Sequence, residues 1–106
     1  MAFEKPTFKN RYENFIGGEF VAPVKGQYFE NTSPVDGQVM CEMPRSTAED
    51  IEAAIDAGEK AFETWGSSSV TERSMMMLKI ADRIETNLEM LAAVETWDNG
   101  KSVREC

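Results

Sequence analysis

Side chains able to do chemistry are few in this chain, and they do not converge. There is no histidine, which removes the commonest general base and metal ligand. Cys41 and Cys106 lie far apart and form no zinc-type pair. Cys41 falls at an inward-facing position of an expected strand with no adjacent basic residue, so it reads as structural rather than nucleophilic. Cys106 reads as a helix residue. Glu49, Asp50 and Glu52 resemble paired carboxylates, but at a helix start they are better explained as solvated acids facing the positive end of the helix dipole. Met75-Met76-Met77 are consecutive, so on a helix they point to different faces and cannot hold one soft ion. Gly17-Gly18 lacks the spacing of a phosphate loop and opens no helix. Asp98, in Asp98-Asn99-Gly100, admits two readings. It is a turn former, or one carboxylate that, with backbone carbonyls, makes a weak hard-cation site suited to sodium or potassium.

Composition narrows the classes. The chain has 106 residues, enough for one small domain, with 19 acidic and 11 basic residues and a formal net charge of -8. That balance argues against nucleic acid and anionic membrane as partners, both of which need a basic face. No apolar run approaches the ~20 residues of a membrane span, and residues 1–14 contain no apolar core of a secretory signal. Seven methionines and no disulfide framework suit a reducing compartment, so a cytoplasmic location is expected.

The elements that would position any site follow from local patterns. Residues 1–11 have no period and read as a mobile arm. Gly17-Gly18 between two short apolar runs predicts a hairpin with strands over 12–16 and 19–22. Strands over 27–32 and 38–43 flank Ser33-Pro34-Val35-Asp36-Gly37, a turn with proline early and glycine late. A helix opens at Ser46 or Thr47, with Glu49 or Asp50 as the reciprocal capping partner. Ile51, Ala54, Ile55, Gly58, Phe62 and Trp65 then form one stripe. Ser69 and Glu72 open the next helix, expected over 71–86. Asn87 breaks it, Thr86 with Glu89 offers a restart, and a third helix is expected over 87–97, ended by the Asp98-Asn99-Gly100 turn. The fold class is α+β: antiparallel hairpins, then helices whose apolar stripes suit packing on something larger.

Five motifs in series resemble a known family. They are Phe15-Ile16-Gly17-Gly18-Glu19-Phe20-Val21; Asn31-Thr32-Ser33-Pro34-Val35-Asp36-Gly37; Thr47-Ala48-Glu49-Asp50 with Ala61-Phe62 and Trp65; Arg73 with Ile80-Ala81-Asp82; and Glu95-Thr96-Trp97-Asp98-Asn99-Gly100-Lys101. In this order the segment from about residue 12 onward is similar to the amino-terminal part of the NAD(P)-dependent aldehyde dehydrogenases. With Tyr12-Glu13-Asn14-Phe15 it is most similar to the bacterial group acting on acetaldehyde and other short aliphatic aldehydes. The resemblance implies that residues 12–106 are an incomplete coenzyme-binding domain of a larger α/β enzyme. The parent would be a homo-oligomer, dimer or tetramer, working through a cysteine thiohemiacetal and thioester with NAD or NADP.

On that resemblance no catalytic or coenzyme-binding residue lies in these 106 residues, and neither Cys41 nor Cys106 matches the nucleophile's motif. One site carries over. Several family members hold a monovalent cation between main-chain carbonyls and an aspartate, which here implies Asn31 and Thr32 by backbone and Asp98 by side chain. This chain has Ser33-Pro34 where Asn-Pro is usual, a change that main-chain ligands survive. The expected partners are the rest of the parent polypeptide and a small aldehyde. The competing expectation is a non-catalytic module that self-associates, or binds a partner, through its amphipathic helices.

Overall fold

A computed structural model describes residues 5–106, so residues 1–4 of the expected arm lie outside the described residues. The element order is β1 (Asn14–Ile16), β2 (Glu19–Val21), β3 (Tyr28–Thr32), β4 (Val39–Pro44), α1 (Ala48–Trp65), α2 (Val70–Thr86), α3 (Leu88–Asn99) and a single 3-10 turn over Val103–Glu105. β1 pairs with β2 and β3 with β4. The α+β expectation of hairpins followed by helices holds. The chain divides into two compact units, one built on Thr32–Met40 and Ser69–Cys106 with the segment ending at Phe8, the other on Lys9–Asn31 and Cys41–Ser68.

In the unit built on Lys9–Asn31 and Cys41–Ser68, Gly17 and Gly18 both take positive φ, 62° and 82°. That is the backbone a two-residue hairpin needs to match strand twist. It sets the antiparallel register of Asn14 opposite Val21 and Phe15 opposite Phe20, whose rings meet edge to face at 4.9 Å. α1 packs on β1. Of the two capping pairs the sequence offers, Thr47 with Asp50 is used: the Thr47 amide donates to Asp50 Oδ2 at 2.8 Å. Ser46 is taken by a tertiary partner, its hydroxyl bonded to the Asn14 side-chain amide at 2.9 Å. The segment expected to be an arm is joined to β4 near its end, since the Glu42 amide donates to the Asn10 carbonyl and the Tyr12 amide to the Glu42 carbonyl.

In the other unit, Ser69 and Glu72 form the expected reciprocal cap of α2, the Glu72 amide donating to Ser69 Oγ at 3.1 Å and the Ser69 amide to Glu72 Oε2 at 3.3 Å. Asn87 separates α2 from α3 as expected, but the restart through Thr86 and Glu89 is not used. Thr86 instead donates its hydroxyl back to the Asp82 carbonyl at 2.9 Å, and Asn87 donates its side-chain amide to the Arg83 carbonyl at 2.8 Å. Both bonds finish the preceding helix rather than start the next. α3 also runs beyond the expected end at 97. Asp98 and Asn99 are still helical, and Gly100 alone supplies the left-handed residue, φ 78°. The side of Gly100 that a Cβ would occupy faces Pro34, 3.2 Å from its Cγ, so glycine is required there both for the angle and for the approach.

Burial is unusual in kind. Among the described residues Cys41 and Ala93 are the buried hydrophobic side chains, while Ser33 is fully buried and Asp50 is 4% exposed. The stripe foreseen on α1 faces outward, with Ile51 56% exposed, Ile55 54% and Phe62 67%, and Val70 and Leu78 of α2 are exposed as well.

Candidate functional site

Asn31 and Thr32 end β3, and Asp98 lies in the last turn of α3. Thr32 and Asp98 belong to the same unit; Asn31, next to Thr32 in the chain, is assigned to the other. The segments carrying Thr32 and Asp98 meet through their neighbours. Ser33 donates its hydroxyl to the Trp97 carbonyl at 2.5 Å and accepts the Val35 amide at 3.2 Å. Pro34 rests against Gly100. Ser33 and Trp97 are thus the residues immediately beside Thr32 and Asp98, and their bond is fixed by a fully buried hydroxyl.

The turn between β3 and β4 is held from within. The Ser33 amide donates to the Gln38 carbonyl and the Gly37 amide to the Ser33 carbonyl, both at 2.9 Å. Asp36 accepts the Gln38 amide through Oδ1 at 3.0 Å, and its other oxygen lies 3.7 Å from Lys5 Nζ. The same ammonium sits 4.9 Å from the centre of the Trp97 ring, a favourable position over an electron-rich face. On the helix side, Asn99 donates to Glu95 at 3.0 Å and accepts the Lys101 amide at 2.8 Å, which steers the chain out of α3. The expectation that Asp98 and Asn99 form the turn is corrected here: Asn99 shapes the exit from inside the helix.

The donors named from the sequence for a cation are all oxygens, two carbonyls and one carboxylate, a set that fits a hard monovalent ion. Among the described residues no group of three or more His, Cys, Asp or Glu side chains could hold a metal. Cys41 is buried with its sulfur 3.8 Å from the Met43 sulfur, and Cys106 is exposed with its thiol toward the Ser102 carbonyl at 3.3 Å. Sequence reasoning passed over Ser33 and the pairing of Asp50 with Val24, whose amide donates to Asp50 Oδ1 at 2.9 Å. The only local signal was the serine preceding Pro34.

The family model for aldehyde dehydrogenases matches residues 20–106. The chain is 70% identical over 99 residues to an acetaldehyde dehydrogenase of Pseudomonas aeruginosa, covering 93% of this chain and 20% of that protein. It is 66% identical over 98 residues to a long-chain-aldehyde dehydrogenase of an Acinetobacter species, covering 92% and 20%. The crystal structure of PnpE in complex with nicotinamide adenine dinucleotide superposes with a TM-score of 0.85 at 34% identity, over 89% of this chain and 19% of that one. The chain belongs to the aldehyde dehydrogenase family. It spans about one-fifth of the length of the relatives it matches. No helix among the described residues is long and apolar enough to cross a membrane.

Proposed function

We propose that this chain is the amino-terminal portion of a cytoplasmic, homo-oligomeric enzyme. That enzyme oxidises a short aliphatic aldehyde, acetaldehyde foremost, to the carboxylic acid with NAD or NADP. The observation that carries this reading is the 70% identity to an acetaldehyde dehydrogenase across nearly the whole chain. The coenzyme, when bound, accepts hydride; the residues that bind it, the nucleophilic cysteine and the base belong to the rest of the protein. The part assigned to these residues is structural. Their outward apolar side chains on α1, α2 and α3 suit cover by the remaining polypeptide.

Assay of the whole parent protein tests the substrate. The catalytic efficiency, kcat/KM, for acetaldehyde should exceed that for an aldehyde of eight or more carbons by about tenfold or more, the range a few methylene contacts can supply. A preference for the longer aldehyde would align it with the Acinetobacter relative instead. The 106-residue chain alone should yield no aldehyde-dependent NADH.

We further propose that Thr32 and Asn31 by carbonyl, and Asp98 by carboxylate, hold a structural sodium or potassium ion. Ser33, bonded to Trp97, supports this by tying together the segments that carry Thr32 and Asp98. Replacing choline chloride with potassium or sodium chloride should raise the parent's melting temperature by about 2–4 °C, and Asp98→Ala should abolish the rise. Equal melting in both salts would remove the ion from the account.

A further inference from the structure

The segment over residues 9–13 has no sequence period, yet it is held to the rest of its unit by several polar contacts. Two backbone bonds join it to β4: the Glu42 amide donates to the Asn10 carbonyl at 2.8 Å, and the Tyr12 amide donates to the Glu42 carbonyl at 2.9 Å. Arg11 and Glu42 thus form a lone parallel bridge. Both main-chain groups of Glu42 are consumed on the edge away from β3. Two residues on is Pro44, which has no amide to offer to that edge.

A single bridge is too little backbone pairing to hold a strand, so the side chains must do it. Arg11 and Glu13 are two residues apart in extended chain and therefore project to the same side. Both reach Tyr28. The Arg11 guanidinium lies 3.9 Å from the centre of the Tyr28 ring, and the Tyr28 hydroxyl donates to Glu13 Oε2 at 2.6 Å. Tyr28 is gripped at its face and at its tip. Arg11 also donates through Nε and Nη2 to Glu42 Oε2, at 3.0 and 2.7 Å. Lys9 adds a looser hold, 5.5 Å above the Phe20 ring. The hydrogen bond to Glu13, ahead of other causes, holds the Tyr28 proton above the ordinary tyrosine range.

We infer that residues 9–13 are a releasable strap that shields the outer edge of β4, and that Arg11, stacked on Tyr28 and forked onto Glu42, is its latch. An uncovered strand edge is a template for unwanted pairing, and the strap occupies it at Glu42. The latch is reversible by construction. Its ion pair is about half open to solvent, 52% and 40% exposed at Arg11 and Glu42, and such pairs are weak and screened by salt. A planar guanidinium is needed, since it alone can stack and donate in a fork at once.

Site-resolved amide exchange on the whole parent protein tests this. In Arg11→Ala the Glu42 and Tyr12 amides should exchange about tenfold faster while those of α1 keep their wild-type rates, the mark of a local opening. Arg11→Lys should recover little of the protection. Tyr28→Phe keeps the ring face and should cost less than Arg11→Ala. An unchanged Glu42 rate in Arg11→Ala would overturn the latch. So would a rise shared equally by α1, because the unit would then be opening as a whole.

Discussion

Ser33→Ala should lower the unfolding free energy by about 1–3 kcal/mol, the usual cost of stranding buried polar groups. The melting temperature should fall by about 4–8 °C for each kcal/mol in a domain of this size. The last four carbonyls of a helix have no partner within it. In α3 the Thr96 carbonyl is taken by the Gly100 amide at 2.8 Å, and the Trp97 carbonyl is taken by the Ser33 hydroxyl at 2.5 Å. A residue 64 positions earlier thus finishes the helix. Alanine would leave the Trp97 carbonyl and the Val35 amide facing a site closed to water, since Ser33 has no exposed surface. Ser33→Thr keeps the hydroxyl but adds a methyl group at a position with no exposed surface, so it should rescue only part of the loss. Urea or thermal denaturation followed by circular dichroism gives the numbers; a midpoint unmoved by Ser33→Ala would show that the bond contributes nothing net.

Asp50→Asn should lower the melting temperature at neutral pH by about 4–8 °C, the scale of losing a helix cap. It should also flatten the acid side of the stability profile. The Asp50 carboxylate is buried and accepts three hydrogen bonds, from the Thr47 amide at 2.8 Å, the Val24 amide at 2.9 Å and the Thr47 hydroxyl at 3.4 Å. The Thr47 amide first, and the Val24 amide next, hold its carboxyl below the ordinary carboxylate range, against a smaller opposing effect of burial. α1 begins beside it, so the dipole acts in the same direction. Asparagine has one acceptor oxygen, and its amide would confront a backbone donor. Because the folded pKa is depressed, the stabilisation is fully present above the unfolded value near 3.8 and is lost as pH falls through the lower folded value. Melting temperatures measured from pH 6 down to pH 2 should fall more steeply in the wild type than in Asp50→Asn. Parallel curves would assign the acid sensitivity to other carboxylates.

Much of the local architecture was legible because its causes are local. Gly17-Gly18 specified a hairpin, Ser69 with Glu72 specified a helix start, and Asn87 specified a break, each by the backbone angles or bonds available within four residues. The departures lie where a distant partner decides. Ser46 and Thr47 offer equivalent caps in sequence, and the choice falls to Thr47 because Asn14 occupies Ser46. Asp98-Asn99-Gly100 carries turn chemistry, yet only Gly100 needs it, because α3 retains its hydrogen bonding through Asn99. Arg11, Glu13 and Tyr28 have no spacing that announces a cluster; strand geometry and the β4 pairing bring them together. Of the proposed cation ligands, Asp98 could be read as an oxygen donor from its own residue type. Thr32 and Asn31 came only through family resemblance, because a carbonyl ligand leaves no trace in side-chain identity.

The burial of a hydroxyl and a carboxylate, beside outward-facing Phe62, Val70 and Leu78, bears on how this segment melts. Cut off from the polypeptide that would cover them, oily groups that already touch water have little more to uncover, so the heat-capacity increment of the isolated segment should be small for its length. Its stability curve should then be shallow, whereas in the parent the same side chains add to the curvature.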